Sequence, residues 1–375
     1  ALIDMQDPNL TKTKEIIDMY AAQGFNSILM NAYAYDTRWC QGQTEDEDWG
    51  PPLLHPWQGD LSNHDFSRLN TDYWKHFDKV IDYMFQEGIV AYIYFKVYNK
   101  MVNWPPKGSK EDELYFSNIV ARYQAYPNII WCFAKETYYE PDHAYIHKML
   151  DVITENDAYD RLRTTHDDNA RVEDYAFDGE NADNIDFYTD QTQNDIYNNS
   201  IEDYKRKEWP VSNMEPGYQG GNDGNSSYQG DNISAEELVK RMYLVYMAGA
   251  YATYYYTWHA WDIVRTAEEP KNLVYYKYLS DFFTRTKWYE LVPNEDIITG
   301  IDNYCLAKVG SEYIIYLGKG RNATVTIEGA PQHLQGSWMN VFTGEEKKVS
   351  RISNGSYQCT SPWGDAPSLL WLHKK

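Results

Sequence analysis

Eight short apolar runs, rich in β-branched and aromatic residues, alternate with amphipathic helical stretches over roughly the first 290 residues of this 375-residue chain. That alternation constrains the fold more than any other feature. Parallel strands need a long crossover between them, and a helix is its usual form. Eight such units imply a (β/α)8 TIM barrel, class α/β. A doubly wound open sheet is the second reading, but no strand is accompanied by G-x-G-x-x-G or G-x-x-x-x-G-K-[ST].

The strands are expected at Ala1–Met5, Phe25–Asn31, Ile89–Lys96, Ile129–Lys135, Arg163–His166, Ile185–Thr189, Pro210–Met214 and Tyr251–Trp258. The helices are expected at Thr11–Gln23, Tyr73–Gln86, Glu111–Tyr123, Asp142–Asn156, Thr192–Lys207, Ala235–Gly249 and Asn272–Thr286. Ala32–Asn70 is too long for a simple connector and reads as a functional loop. Gln219–Asn232, rich in Gly and Asn, reads as a flexible one. After Pro293 the texture changes to short alternating runs split by Gly, Asn and Pro, the pattern of a small antiparallel β-sandwich. The expected division is a catalytic barrel at 1–290 and a sandwich at 291–375.

The net charge of −22 argues against nucleic acid as a partner, because phosphate contacts need clustered Lys and Arg. No apolar run approaches the ~20 residues of a membrane span. Tyr (35) outnumbers Phe (12), which suits a polar ligand such as a sugar as well as plain packing. Four dispersed cysteines make no disulfide scaffold; Cys132 reads as a buried thiol, and spacing alone leaves a Cys305–Cys359 pair open. The chain opens at Ala1 with neither Met nor leader, which reads as processed, and the expected location is periplasmic or secreted, in a bacterium.

Barrel active sites lie at the C-terminal strand ends. The residues there are Asn31, Lys96, Glu136, His166 and Asp167, Asp190, Glu215, and Trp258 with His259. Glu136 and Glu215 follow the fourth and seventh strands. Two carboxyl groups are the minimum equipment for glycosidic hydrolysis: one protonates the leaving oxygen, the other attacks the anomeric carbon or activates water. No H-E-x-x-H or G-x-S-x-G occurs, and His166-Asp167-Asp168 alone does not define a metal site, so neither metal nor cofactor is expected.

The run YFSNIVARYQAYPNIIWCFAKE (Tyr115–Glu136) resembles the apiosidase-like glycoside hydrolases. So do GFNSILMNAY (Gly24–Tyr33), DYWKHFDKVIDYMFQEGI (Asp72–Ile89), VSNMEPGYQG (Val211–Gly220) and GSWMNVFTGE (Gly336–Glu345). The resemblance implies a clan A barrel glycosidase that retains configuration, with Glu136 as acid/base and Glu215 as nucleophile. Many clan members carry Asn before the acid/base, where it binds the sugar 2-hydroxyl; here Lys135 stands there. Several apiosidase-like members carry Asp at the acid position.

The expected activity is therefore retaining hydrolysis of a plant or algal cell-wall carbohydrate, with carboxyls about 5–5.5 Å apart. The rival readings are a non-catalytic carbohydrate-binding barrel and a metal-dependent barrel hydrolase. Glu136 must start protonated, which apolar neighbours such as Trp131 or Tyr138 favour and an inward-pointing Lys135 opposes. Expected sugar contacts are Asn31, Tyr35, Trp39, Trp57, Asn99, Tyr138, Tyr218 and His259, with Trp258 as the platform and His166, Asp167 and Asp190 toward hydroxyls. Lys96 and Lys135 together suit a carboxylate or sulfate. The sandwich reads as a brace for the barrel.

Overall fold

The computed structural model describes residues 7–35, 52–168, 174–179, 182–207, 209–220, 232–260, 267, 269–330 and 333–374. The expected strand Ala1–Met5, most of the 219–232 loop, and Trp39 lie outside these residues. The described chain falls into two compact units. One lies within Ala1–Gln191, Gly220–Gly230 and Tyr255–Glu269; the other lies within Thr192–Gln219, Asp231–Tyr254 and Pro270–Lys375.

The first unit is built on four parallel strands in the order Ser27–Asn31, Val90–Val97, Ile129–Lys135 and Arg163–Thr164. Ile28 pairs with Ala91, Ala91 with Ile129, and Trp131 with Arg163, so all the strands end toward the same side. Helix Thr11–Ala21 precedes the first of them, and between them run helices Thr71–Gln86, Lys110–Tyr123 and His143–Asn156. Each of the last three starts where a short polar side chain, Asn70, Ser109 or Asp142, accepts a first-turn N–H. Helix Thr71–Gln86 buries Tyr73, Trp74, Phe77, Val80, Ile81 and Met84, a stripe at helical spacing. These boundaries lie within a few residues of those read from apolar periodicity.

The long loop holds a hairpin that periodicity missed, Trp57–Asp60 with Asn63–Leu69. Its residues are mostly polar and exposed, so no alternation marks them. The turn is made by Asp60, whose Oδ1 accepts from the N–H groups of Ser62 (3.0 Å) and Asn63 (2.9 Å). Gly59 has φ +103° and a Cβ there would lie 2.4 Å from the Asn63 carbonyl, so only glycine fits.

In the second unit, strand Val211–Asn213 pairs in parallel with Tyr251–Ala252, and helices Ile196–Lys207, Ala235–Met247 and Val274–Thr284 accompany them. The expected eighth strand thus stops at Ala252. From Val292 onward the strands are antiparallel. Six form one sheet, ordered Val292–Pro293, Asn303–Lys308, Glu312–Leu317, Ser368–His373, Leu334–Asn340, Glu346–Ile352. Three form another, ordered Ile298–Thr299, Asn322–Ile327, Gly355–Thr360. Both sheets feed one core, with Cys305, Tyr313, Ile315, Leu370 and Leu372 from the first and Val325, Ile327 and Cys359 from the second. Cys305 and Cys359 are free thiols, as is the buried Cys132. The strand Glu346–Ile352 escaped the sequence reading because it is a charged, exposed edge.

Much of the tyrosine excess is structural. Tyr316 stacks on Tyr243 of helix Ala235–Met247 at 5.5 Å, and Tyr115 donates to the Phe95 carbonyl at 2.9 Å. A buried ring with one satisfied hydroxyl packs like Phe and also fixes an orientation.

Candidate active site

Glu136 is the first residue after strand Ile129–Lys135 and is 7 % exposed. Its φ of 60° and ψ of 48° put it in the left-handed region, which costs a non-glycine residue about 1 kcal/mol or more. The surroundings hold it there. Its N–H donates to His166 Nδ1 at 3.1 Å, the Thr137 N–H donates to the His166 carbonyl at 2.8 Å, and the His166 N–H donates to Thr137 Oγ1 at 3.0 Å. His166 thus acts on the backbone of Glu136, with Nδ1 as acceptor.

The carboxylate is gripped at both oxygens. Asn99 Nδ2 donates to Oε1 at 3.0 Å, and Lys135 Nζ lies 3.7 Å from the same oxygen. The Tyr138 hydroxyl donates to Oε2 and accepts from Gln191 Nε2 at 2.5 Å. Burial, then the charge of Glu136, pushes the Tyr138 phenol well above its ordinary range, so it stays a donor. Lys135 therefore does turn toward Glu136, with its amine also over the Tyr255 ring at 5.7 Å. Trp131 belongs elsewhere: it packs on Phe95 and donates to Asp157 Oδ2 at 2.8 Å.

The same unit buries an acidic group. Asp167 is fully buried and accepts from the Thr165 hydroxyl; Asp190 is 1 % exposed. Asp174, which no motif in its loop signalled, accepts from the Tyr188 hydroxyl at 2.9 Å. Burial and then the charge of Asp174 drive the Asp167 carboxyl well up; burial raises Asp174 to about 7. No group of three or more His, Cys, Asp or Glu among the described residues is placed to hold a metal ion. The sign of the linkage is fixed by the raised values. The folded chain keeps a proton on Asp174 that the unfolded chain releases near pH ~4, so this contribution to stability is full below that pH and lost as pH rises through about 7. Urea unfolding is expected to show stability falling over this window, with a flatter slope in Asp174→Asn. An equal slope in the variant would refute the assignment.

Glu215, 3 % exposed, lies two residues past strand Val211–Asn213. Its N–H donates to Asn213 Oδ1 at 3.0 Å, and the Tyr218 hydroxyl donates to Oε2. Asn213 is itself anchored, donating from Nδ2 to the Thr192 carbonyl at 2.8 Å. The turn that brings Tyr218 back passes through Gly217 at φ +149°, where a Cβ would meet Ile233 Cδ1 at 2.8 Å. Arg241 Nη1 holds the turn by donating to the Pro216 carbonyl at 3.0 Å.

The other sequence candidates are placed variously. Asn31 ends its strand, and its Oδ1 is buried with no hydrogen-bond partner among the described residues. Tyr35 is partly exposed; Trp258 is 5 % exposed and packs near Tyr256. His259 Nδ1 is 2.9 Å from the Tyr20 hydroxyl of the first helix. Trp57 is wholly buried among Tyr33, His64, Phe66 and Tyr115, where it anchors the hairpin. Lys96 is buried against Asp112 Oδ1 at 2.7 Å and the Tyr145 hydroxyl at 2.7 Å. Its amine is already neutralised. Gln191 was the informative omission from the list of contacts. It lies two residues past an expected strand end, which is the signal that would have found it.

The fold recurs in solved structures. A glycoside hydrolase family 5 protein from Bacteroides vulgatus is 15 % identical with a TM-score of 0.72, covering 97 % of this chain and 86 % of that one. Another B. vulgatus protein, provisionally assigned as a glycoside hydrolase, is 17 % identical with a TM-score of 0.76, covering 97 % and 76 %. A third, a glycoside hydrolase, is 16 % identical at 0.71, covering 97 % and 89 %. These likenesses support the α/β barrel class with an appended antiparallel domain. No curated protein sequence matches the chain. Residues 5–295 match the model of the apiosidase-like catalytic domain, and the chain belongs to that family of glycoside-hydrolase-like proteins.

Proposed function

We propose that this protein is a retaining glycosidase acting on a poly- or oligosaccharide of plant or algal cell walls, outside the cytoplasm of a bacterium. Glu215 attacks the anomeric carbon as the glycosidic bond breaks, and Glu136 gives its proton to the departing oxygen. Glu136 then takes a proton from water, whose oxygen displaces Glu215 and restores the starting enzyme. One observation carries the reading: each carboxylate is buried just past a parallel strand and held by a tyrosine hydroxyl, Tyr138 on Glu136 and Tyr218 on Glu215. Burying a charge is costly, and such placement needs a reason. A panel of purified cell-wall polysaccharides, with the first-formed anomer read by proton NMR, tests it. The expected result is one class of substrate cleaved with retained configuration. An inverted first product would overturn the nucleophile assignment, and no cleavage of any glycoside would overturn the activity.

A further inference from the structure

An acid/base in this mechanism must be protonated when the substrate arrives, yet the groups around Glu136 favour the opposite form. The amide nitrogen of Asn99 only donates, and it does so to Oε1 at 3.0 Å. The Lys135 cation stands 3.7 Å from the same oxygen. Gln191 Nε2 fills an acceptor site of the Tyr138 hydroxyl and so directs the single phenolic proton at Oε2. A proton on Oε2 would meet that hydroxyl proton head-on. Hydrogen bonds and cations that favour the charged form hold a proton off, and burial spares them from competing water.

We propose that Asn99 and the Gln191–Tyr138 chain are positioning residues that keep Glu136 as a carboxylate, so that the acid-competent enzyme is populated only at acidic pH. The proposal rests on the reading of Glu136 as acid/base. Among the described residues of this unit, titratable groups that contact it include Lys135 from its own strand, Tyr138 from the turn that follows, and His166 past strand Arg163–Thr164. Asp190 immediately precedes Gln191, and Tyr255 lies under Lys135. His166 uses Nδ1 to accept the Glu136 N–H and so brings no positive charge at that nitrogen. The geometry also explains why Glu136 sits in the left-handed region: that turn carries Tyr138, two residues on, back to its carboxylate.

The test reads the carboxyl itself. In protein labelled with carbon-13 at the glutamate carboxyl, Glu136→Gln identifies the resonance, which is then titrated. Tyr138→Phe and Asn99→Leu are each expected to raise the midpoint by about one pH unit, a tenfold gain in proton affinity. The alkaline limb of kcat/KM on the cleaved oligosaccharide should move up by the same amount. Should Tyr138→Phe fail to fold, Gln191→Leu is expected to shift the midpoint in the same direction by less. A midpoint that stays put or falls in folded variants overturns the proposal while leaving the hydrolase reading intact. Normal turnover by Glu136→Gln overturns the acid/base reading of Glu136, and this proposal with it.

Discussion

Glu136→Gln is expected to lower kcat on natural oligosaccharides by about 10²–10⁴-fold, the usual contribution of a general acid. The substitution keeps the size of the side chain and one acceptor oxygen, which can serve Asn99 or Tyr138, so the fold should survive, as circular dichroism would show. The loss should depend on the leaving group. An aryl glycoside with an acidic phenol departs without a proton, so its glycosylation step should be much less affected. Glu215→Gln should be inactive on both substrates, because a good leaving group does not replace a nucleophile. Equal losses for both substrates in Glu136→Gln would remove it from the acid role. Measurable turnover of the aryl glycoside by Glu215→Gln would remove Glu215 from the nucleophile role.

Asp112→Ala should destabilise the chain by about 3–5 kcal/mol, since it strands a buried cation. Lys96 is 3 % exposed and Asp112 fully buried, with Nζ–Oδ1 at 2.7 Å. Burial lowers the affinity of the amine for its proton, and Asp112 is the chief opposing influence. Asp112 also accepts from the Tyr145 hydroxyl (2.6 Å) and the Gly108 N–H (3.0 Å), so its loss leaves those donors unmatched too. Removing both charges, as in Lys96→Met with Asp112→Leu, should recover much of the loss, because an apolar pair replaces a buried ion pair at little cost. Urea unfolding of the single and double variants measures both. A single variant within 1 kcal/mol of wild type, against the ~3–5 kcal/mol expected, would show that the pair is better hydrated than its burial implies.

Local features were legible in the sequence. Ile129–Lys135 was read to the residue because a continuous apolar run bounded by polar turns is a strand whatever surrounds it. Helix Lys110–Tyr123 begins one residue before its expected start, because its Ser109 cap is a sequence feature. Tyr251–Trp258 was over-read: an aromatic run satisfies the pattern of a strand, but its ladder ends at Ala252. Beyond that point, Tyr254 donates to Gln219 Oε1 at 3.1 Å, a bond between side chains 35 residues apart. The hairpin at Trp57–Leu69 was invisible because its apolar anchor is one tryptophan whose partners come from other elements.

Among the site residues the same division holds. That Glu136 and Glu215 each follow a strand depends only on where apolar periodicity stops, and the linear sequence determines it. Which groups then reach them is a matter of packing. Asn99, 37 positions before Glu136, donates to it, while Lys96, three positions before Asn99, is turned away to Asp112. Hydrogen bonds and ion pairs act over a few ångströms, so partners distant in sequence are chosen only once the strands lie side by side. The sequence alone thus determined the order of elements and the strand ends that carry carboxylates. Tertiary structure decided which of those charges is neutralised, which is held ready, and by whom.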